Sequence, residues 1–128
     1  VFDQAENAFV SAYRYYKDKE CRKVDVHIEY IASPDLTGKT LMLVDPMLAT
    51  GESMELALKA FETKGTPSRI FIACAIASQQ GVEHIERLYG DRDDVVLICA
   101  AIDKELNEHS YIVPGLGDAG DLAFGGKI

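Results

Sequence analysis

Three short, almost uninterrupted apolar runs, residues 41–44, 70–77 and 95–102, constrain this chain more than any other feature. Runs of that length read as strands buried on both faces, the habit of a parallel sheet covered by helices. Between them the periodicity changes. Met54, Ala57, Leu58 and Phe61 follow the i, i+3, i+4, i+7 spacing of a helix that starts after Ser53, and Gly65 stands where a C-terminal glycine belongs. A second helix spans residues 78–89, with Val82, Ile85, Leu88 and Tyr89 facing inward and Gly90 as its stop. The order strand, helix, strand, helix, strand predicts an α/β fold with a doubly wound parallel sheet.

The first third of the chain follows another pattern. Residues 8–16 and 26–32 read as strands separated by the charged stretch 17–23, which suggests a β-hairpin arm projecting from the sheet with its charged tip in solvent. Residues 33–39, with Pro34 and Gly38, form a turn into the central strand. At 128 residues the chain has the size of a single domain, 1–128. Its first residue is Val1 and not methionine, so the natural start is expected upstream and the domain is expected to be N-terminally truncated.

Composition excludes several classes. Hydrophobic residues at 48% and charged residues at 27% fit a soluble globular protein and not a disordered or membrane-embedded one. A formal net charge of -8 disfavours nucleic acid as a partner. An acidic chain that handles an anionic small molecule must use local devices: a helix N-terminus, a placed arginine or a divalent cation. Cys21, Cys74 and Cys99 lie too far apart for a disulfide framework or a metal-ligand spacing, and His27, His84 and His109 are equally scattered. Reduced thiols and a cytoplasmic setting are the expectation, without a zinc site.

The chemistry concentrates where the central strand is expected to end, at Asp45, Pro46, Met47, Leu48, Ala49, Thr50, Gly51, Glu52 and Ser53. Ligands of open α/β sheets bind at the carboxyl ends of strands, and a helix that starts there directs unpaired N–H groups and a positive dipole end at them. Small residues let the backbone approach an anion, and Thr50 and Ser53 add hydroxyl donors. Asp45 repels phosphate but suits a pair of vicinal sugar hydroxyls. These local features leave open a capped helix with no ligand.

The stretch from Asp45 to Ser53 resembles the phosphoribosyl-diphosphate motif of type I phosphoribosyltransferases, in the form with proline after the first acid that is typical of uracil phosphoribosyltransferases. A second stretch, Asn107-Glu108-His109-Ser110-Tyr111-Ile112-Val113-Pro114-Gly115-Leu116-Gly117-Asp118-Ala119-Gly120-Asp121, resembles that family's C-terminal signature. The resemblance implies the type I phosphoribosyltransferase sheet. It also implies transfer of a 5-phosphoribosyl group from 5-phosphoribosyl 1-diphosphate (PRPP) to N1 of uracil, a pyrimidine salvage reaction that gives UMP and diphosphate. Mg²⁺ would be bound mainly through the diphosphate, with no protein metal ligands.

By the same resemblance Asp45 holds the ribose hydroxyls, residues 45–53 form the PRPP loop, and residues 49–53 cradle the 5′-phosphate. Arg14 contacts the diphosphate. Ile112 meets uracil through its backbone, with Gly117, Asp118 and Ala119 closing on the base and Asp118 also reaching the donor; Asp118 and Asp45 are the candidate catalytic residues. Exposed sheet edges in a truncated domain make a homo-oligomer, a dimer or tetramer, the expectation. Two departures stand out. Glu52 replaces a usual glycine, where it is expected to face outward and complement the helix dipole, and Leu122-Ala123 follow Asp121 where a basic residue is common. Two other functional classes fit the same motifs: a nucleotide-binding regulator of phosphoribosyltransferase type, and an inactive fragment that keeps the fold.

Overall fold

A computed structural model describes residues 2–16 and 24–126, with the backbone alone described for 12–16 and 24–27. The chain folds as two compact units, one of residues 1–40 and 52–68, the other of residues 41–51 and 69–128.

In the first unit, β1 (Phe9–Tyr16) and β2 (Val24–Ala32) pair antiparallel from Phe9 opposite Ala32 to Tyr16 opposite Val24, with an irregularity between Ser11 and Ala12. This is the expected hairpin; its charged tip, 17–23, lies outside the described residues. Helix α1 (Glu52–Glu62) runs against β2 and β1 and buries Met54, Ala57, Leu58 and Phe61, the four residues its periodicity selects. Lys59 pairs with Glu55 one turn back at 2.5 Å, worth about 0.3–0.5 kcal/mol on an exposed helix face. Gly65 is not the cap of this helix. The last turn tightens to three-residue spacing, with Thr63 N–H on the Ala60 carbonyl and Lys64 N–H on the Phe61 carbonyl, so the helix ends before the glycine. The turn at 33–39 is tied to the following segment by Leu36 N–H on Lys64 O, Gly38 N–H on Thr66 O and Ser68 N–H on Lys39 O, at 2.8–2.9 Å. Thr37 donates its N–H and its hydroxyl to Asp35, which holds that carboxyl below its ordinary range.

In the second unit, β3 (Thr40–Leu48), β4 (Arg69–Ser78) and β5 (Val95–Asp103) form a sheet in the order β3-β4-β5. β4 and β5 are parallel, from Ile70 opposite Val95 to Ser78 opposite Asp103. β3 runs the same way, because Ser78 at the end of β4 bonds Ala49 just past the end of β3. The α/β class, the parallel sheet and the antiparallel hairpin are therefore as expected. β3 is longer than its apolar run, because Asp45, Pro46, Met47 and Leu48 continue the strand. Proline is tolerated there because β3 is an edge strand of this sheet. Helix α2 (Gln79–Tyr89) lies against β4 and β5, and three shorter elements follow: β6 (Glu105–Leu106), β7 (Ile112–Val113) and α3 (Ala119–Phe124).

Two packing expectations fail. Val82 and Ile85 are buried on α2 as expected, but Leu88 is exposed. The helix makes its closest approach at its first turn, through Gly81, and Leu88 lies two turns further on. The sheet is also not buried on both faces. Ile70, Ile72 and Cys74 point to the covered side, whereas Ile98, Ile102, Met42 and Val44 are exposed, Val44 by 69%. Side chains alternate across a strand, so α2 on one face cannot cover residues that point to the other.

Cys74 and Cys99 are register partners on β4 and β5, with sulfurs 3.2 Å apart. Burial first, and the neighbouring Cys99 second, push the Cys74 thiol up to about 12. An unfolded thiol ionises near ~8.5. The folded value lies above the unfolded one, so this contribution to stability is complete below about pH 8.5 and is lost as pH rises toward the folded value. Urea denaturation from pH 7 to 10 is therefore expected to show a steeper loss of stability in the protein than in Cys74→Ala. Parallel losses would mean that burial of the thiol is not felt.

Among the described residues no helix is long and apolar enough to cross a membrane.

Candidate functional site

The first motif stretch, Asp45 to Ser53, begins inside β3. Asp45 is half-buried, and its Oδ1 accepts the N–H of Met47 at 2.9 Å, a local turn that an aspartate side chain makes readily. Pro46 is exposed and Met47 half-buried, while Leu48 and Ala49 are both 2% exposed. Thr50 is half-buried. Gly51 is buried with φ +86°, a left-handed conformation open to glycine at little cost. A Cβ at Gly51 would stand 2.9 Å from Cδ2 of His84, so the His84 side chain of α2 packs against this glycine. Glu52 and Ser53 open α1; Glu52 is exposed, as expected, and Ser53 half-buried.

Ser78 anchors the start of the loop. It is fully buried, its hydroxyl donates to the Ala49 carbonyl at 2.5 Å, and the same oxygen accepts the Gly81 N–H at 2.9 Å as N-cap of α2. Gly81 then lies so close to the loop that a Cβ would stand 2.5 Å from the Ala49 carbonyl oxygen and 2.8 Å from that of Leu48. A glycine inside a helix costs about 1 kcal/mol relative to alanine. Here close approach accounts for it. Sequence reasoning assigned no role to Ser78, Gly81 or His84. The signal was a glycine in the third position of a helix that a serine caps.

The second motif stretch, Asn107 to Asp121, begins just after β6. Asn107 Oδ1 accepts the N–H groups of His109 at 3.0 Å and Tyr111 at 2.9 Å, which closes a tight turn between β6 and β7. Ile112 is 2% exposed and pairs with Leu106. The Val113–Pro114 peptide is cis, and Gly115 and Gly117 have positive φ. Asp118 and Ala119 are half-buried and Gly117 exposed. Asp118 is also the N-cap of α3: its Oδ1 accepts Asp121 N–H at 2.9 Å, and its Oδ2 lies 3.5 Å from the Tyr111 hydroxyl. The Arg14 backbone pairs with Val26 in the hairpin, but its side chain lies outside the described residues.

The two loops meet one row of residues across the strand ends. Ala49 is bonded to Ser78, Ser78 stands in register with Asp103, and the Asp103 carboxylate accepts the Gly115 N–H at 3.1 Å. The two motif stretches thus leave the same carboxyl edge of one parallel sheet, where α/β folds bind ligands.

Residues 5–126 match the family model described as uracil phosphoribosyltransferase. A uracil phosphoribosyltransferase of Porphyromonas gingivalis is 61% identical over 127 residues, covering 99% of this chain and 57% of that protein. One of Methanothermobacter thermautotrophicus is 42% identical over 125 residues, with 98% and 54% covered. A solved protein of Aquifex aeolicus superposes with a TM-score of 0.80 at 32% identity, over 94% of this chain and 54% of its own. The chain thus spans little more than half the length of these relatives. A family model matched over nearly every residue, and relatives up to 61% identical along almost the whole chain, place it in the uracil phosphoribosyltransferase family.

Proposed function

We propose that the chain carries the donor and base sites of a transferase that moves the 5-phosphoribosyl group of PRPP to N1 of uracil, giving UMP and diphosphate in pyrimidine salvage. The row from Ala49 through Ser78 and Asp103 to Gly115 is the observation that supports this reading, because it brings to one edge the stretch proposed as the donor loop and the stretch proposed as the base loop. Asp45 holds the vicinal ribose hydroxyls. Backbone and hydroxyl donors at Ala49, Thr50, Gly51 and Ser53 take the 5′-phosphate, with Glu52 outward, and Arg14 takes the diphosphate. Ile112, Gly117, Asp118 and Ala119 surround the base. Uracil N1 attacks the anomeric carbon as diphosphate leaves, so catalysis rests on alignment and on stabilising charge at the leaving group.

Among the described residues no group of three or more His, Cys, Asp or Glu side chains is placed to hold a metal ion. Magnesium in this reading is held mainly by diphosphate oxygens, the usual mode for a phosphate-bound ion. When bound, that ion neutralises part of the donor's charge, which matters for a chain of net charge -8. Cys74 and Cys99 are free thiols, which supports a reducing, cytoplasmic setting.

The test is formation of UMP from uracil, PRPP and Mg²⁺, with release of diphosphate that depends on uracil. Release at the same rate without uracil would overturn the reading. Within it, Glu52→Gly is expected to leave donor affinity within about threefold, since an exposed carboxylate is screened by water. A tenfold gain by calorimetry would show that Glu52 faces the phosphate.

A further inference from the structure

We propose that Asp103 is the positioning residue of the base loop, holding Gly115 to the end of β5 and so setting where the backbone at Ile112 and at 117–119 meets the base. The proposal rests on the uracil reading above. Asp103 is the last residue of β5, half-buried, and its Oδ2 accepts the N–H of Gly115, twelve residues on, at 3.1 Å. A carboxylate acceptor makes this bond stronger than one between neutral groups.

Gly115 is a sensitive point to hold. Its φ is +51°, and a Cβ there would collide with the Ile112 carbonyl oxygen, so the turn folds Gly115 directly onto the carbonyl of the residue assigned to the base. A shift of Gly115 is a shift of Ile112. Asn107 bonds within the loop segment itself, to His109 and Tyr111, and Asp118 bonds Asp121 there. Asp103 bonds it from the parallel sheet, and its register partner Ser78 holds the donor loop.

A base read by main chain cannot be tuned by exchanging the group that reads it. What can be tuned is the placement of that main chain, and displacements near 1 Å cost on the order of a hundredfold in rate. Asp103 touches neither reacting atom in this account and acts through Gly115.

The experiment compares Asp103→Ala and Asp103→Asn with the unaltered protein in three measurements: KM for uracil, KM for PRPP at saturating uracil, and hydrogen exchange of the Gly115 amide without ligand. Loss of one bond to a charged acceptor should raise the uracil KM of Asp103→Ala by about tenfold to a hundredfold. KM for PRPP should stay within about threefold, and Gly115 should exchange about tenfold faster or more. Asp103→Asn keeps an oxygen acceptor and should recover most of both effects. An unchanged uracil kcat/KM in Asp103→Ala would overturn the positioning role. Failure of the unaltered protein to convert uracil would instead sink the functional reading, while Gly115 exchange would still decide whether the tether exists. Should Asp103→Ala not fold, Asp103→Ser, too short to reach Gly115, takes its place.

Discussion

Cytosine offered in place of uracil is expected to lower kcat/KM by a factor on the order of hundreds or more. The base site proposed at Ile112, Gly117, Asp118 and Ala119 is built largely of main chain. Main-chain groups have fixed polarity, because a carbonyl only accepts and an N–H only donates. Cytosine presents an amino group where uracil has a carbonyl and a bare ring nitrogen where uracil has an N–H. Both exchanges set like against like. Buried partners left unpaired cost about 1–3 kcal/mol each, so two of them account for discrimination of this size. Anchors that keep the loop from yielding sharpen the penalty. Comparable kcat/KM for the two bases, measured at saturating PRPP, would show that the loop does not read the base edge.

Gly81→Ala should loosen the donor site and destabilise the protein together. An alanine Cβ would stand 2.5 Å from the Ala49 carbonyl oxygen and 2.8 Å from that of Leu48, both backbone atoms that no rotamer change can move aside. Either α2 retreats, or the loop does. Overpacking of this kind typically costs 1–3 kcal/mol, to be set against about 1 kcal/mol gained when alanine replaces a helical glycine. The larger effect falls on the loop, because a retreat of α2 also withdraws His84 from Gly51 and strains the Ser78 bond to Ala49. KM for PRPP is expected to rise about tenfold or more through misplacement of the 5′-phosphate cradle. Glu83→Ala, on the exposed side of the same helix, is the control. A Gly81→Ala protein with unchanged melting temperature and donor affinity would show that the close approach carries no function.

Local pattern made much of this fold legible. The apolar residues of α1, spaced at helical intervals, are the four it buries, and the two motif stretches lie on the sheet edge where strand ends place ligands. Legibility failed where distant backbone decides the outcome. Asp45 to Leu48 continue β3 although aspartate and proline seldom extend a strand, because an edge position leaves one side free of ladder bonds. Leu88 has the right spacing for burial, but spacing cannot tell how far along a helix the contact persists. Ile98 and Ile102 look like doubly covered core in sequence, which does not record how many layers stand over a sheet. Asp103 carries a polar bond to a residue twelve positions away, a distance at which no periodicity speaks.

The bare sheet face shapes how this chain behaves as a colloid. Met42, Val44, Ile98 and Ile102 offer water exposed apolar side chains that gain free energy whenever such side chains of two molecules touch. Long-range repulsion from a net charge of -8 opposes that contact and weakens as salt shortens its reach. Near the isoelectric point, about 4.8, the repulsion vanishes while the exposed apolar side chains remain. Dispersion of the chain in solution is thus maintained by its acidic side chains, and acid and salt remove that protection by different routes.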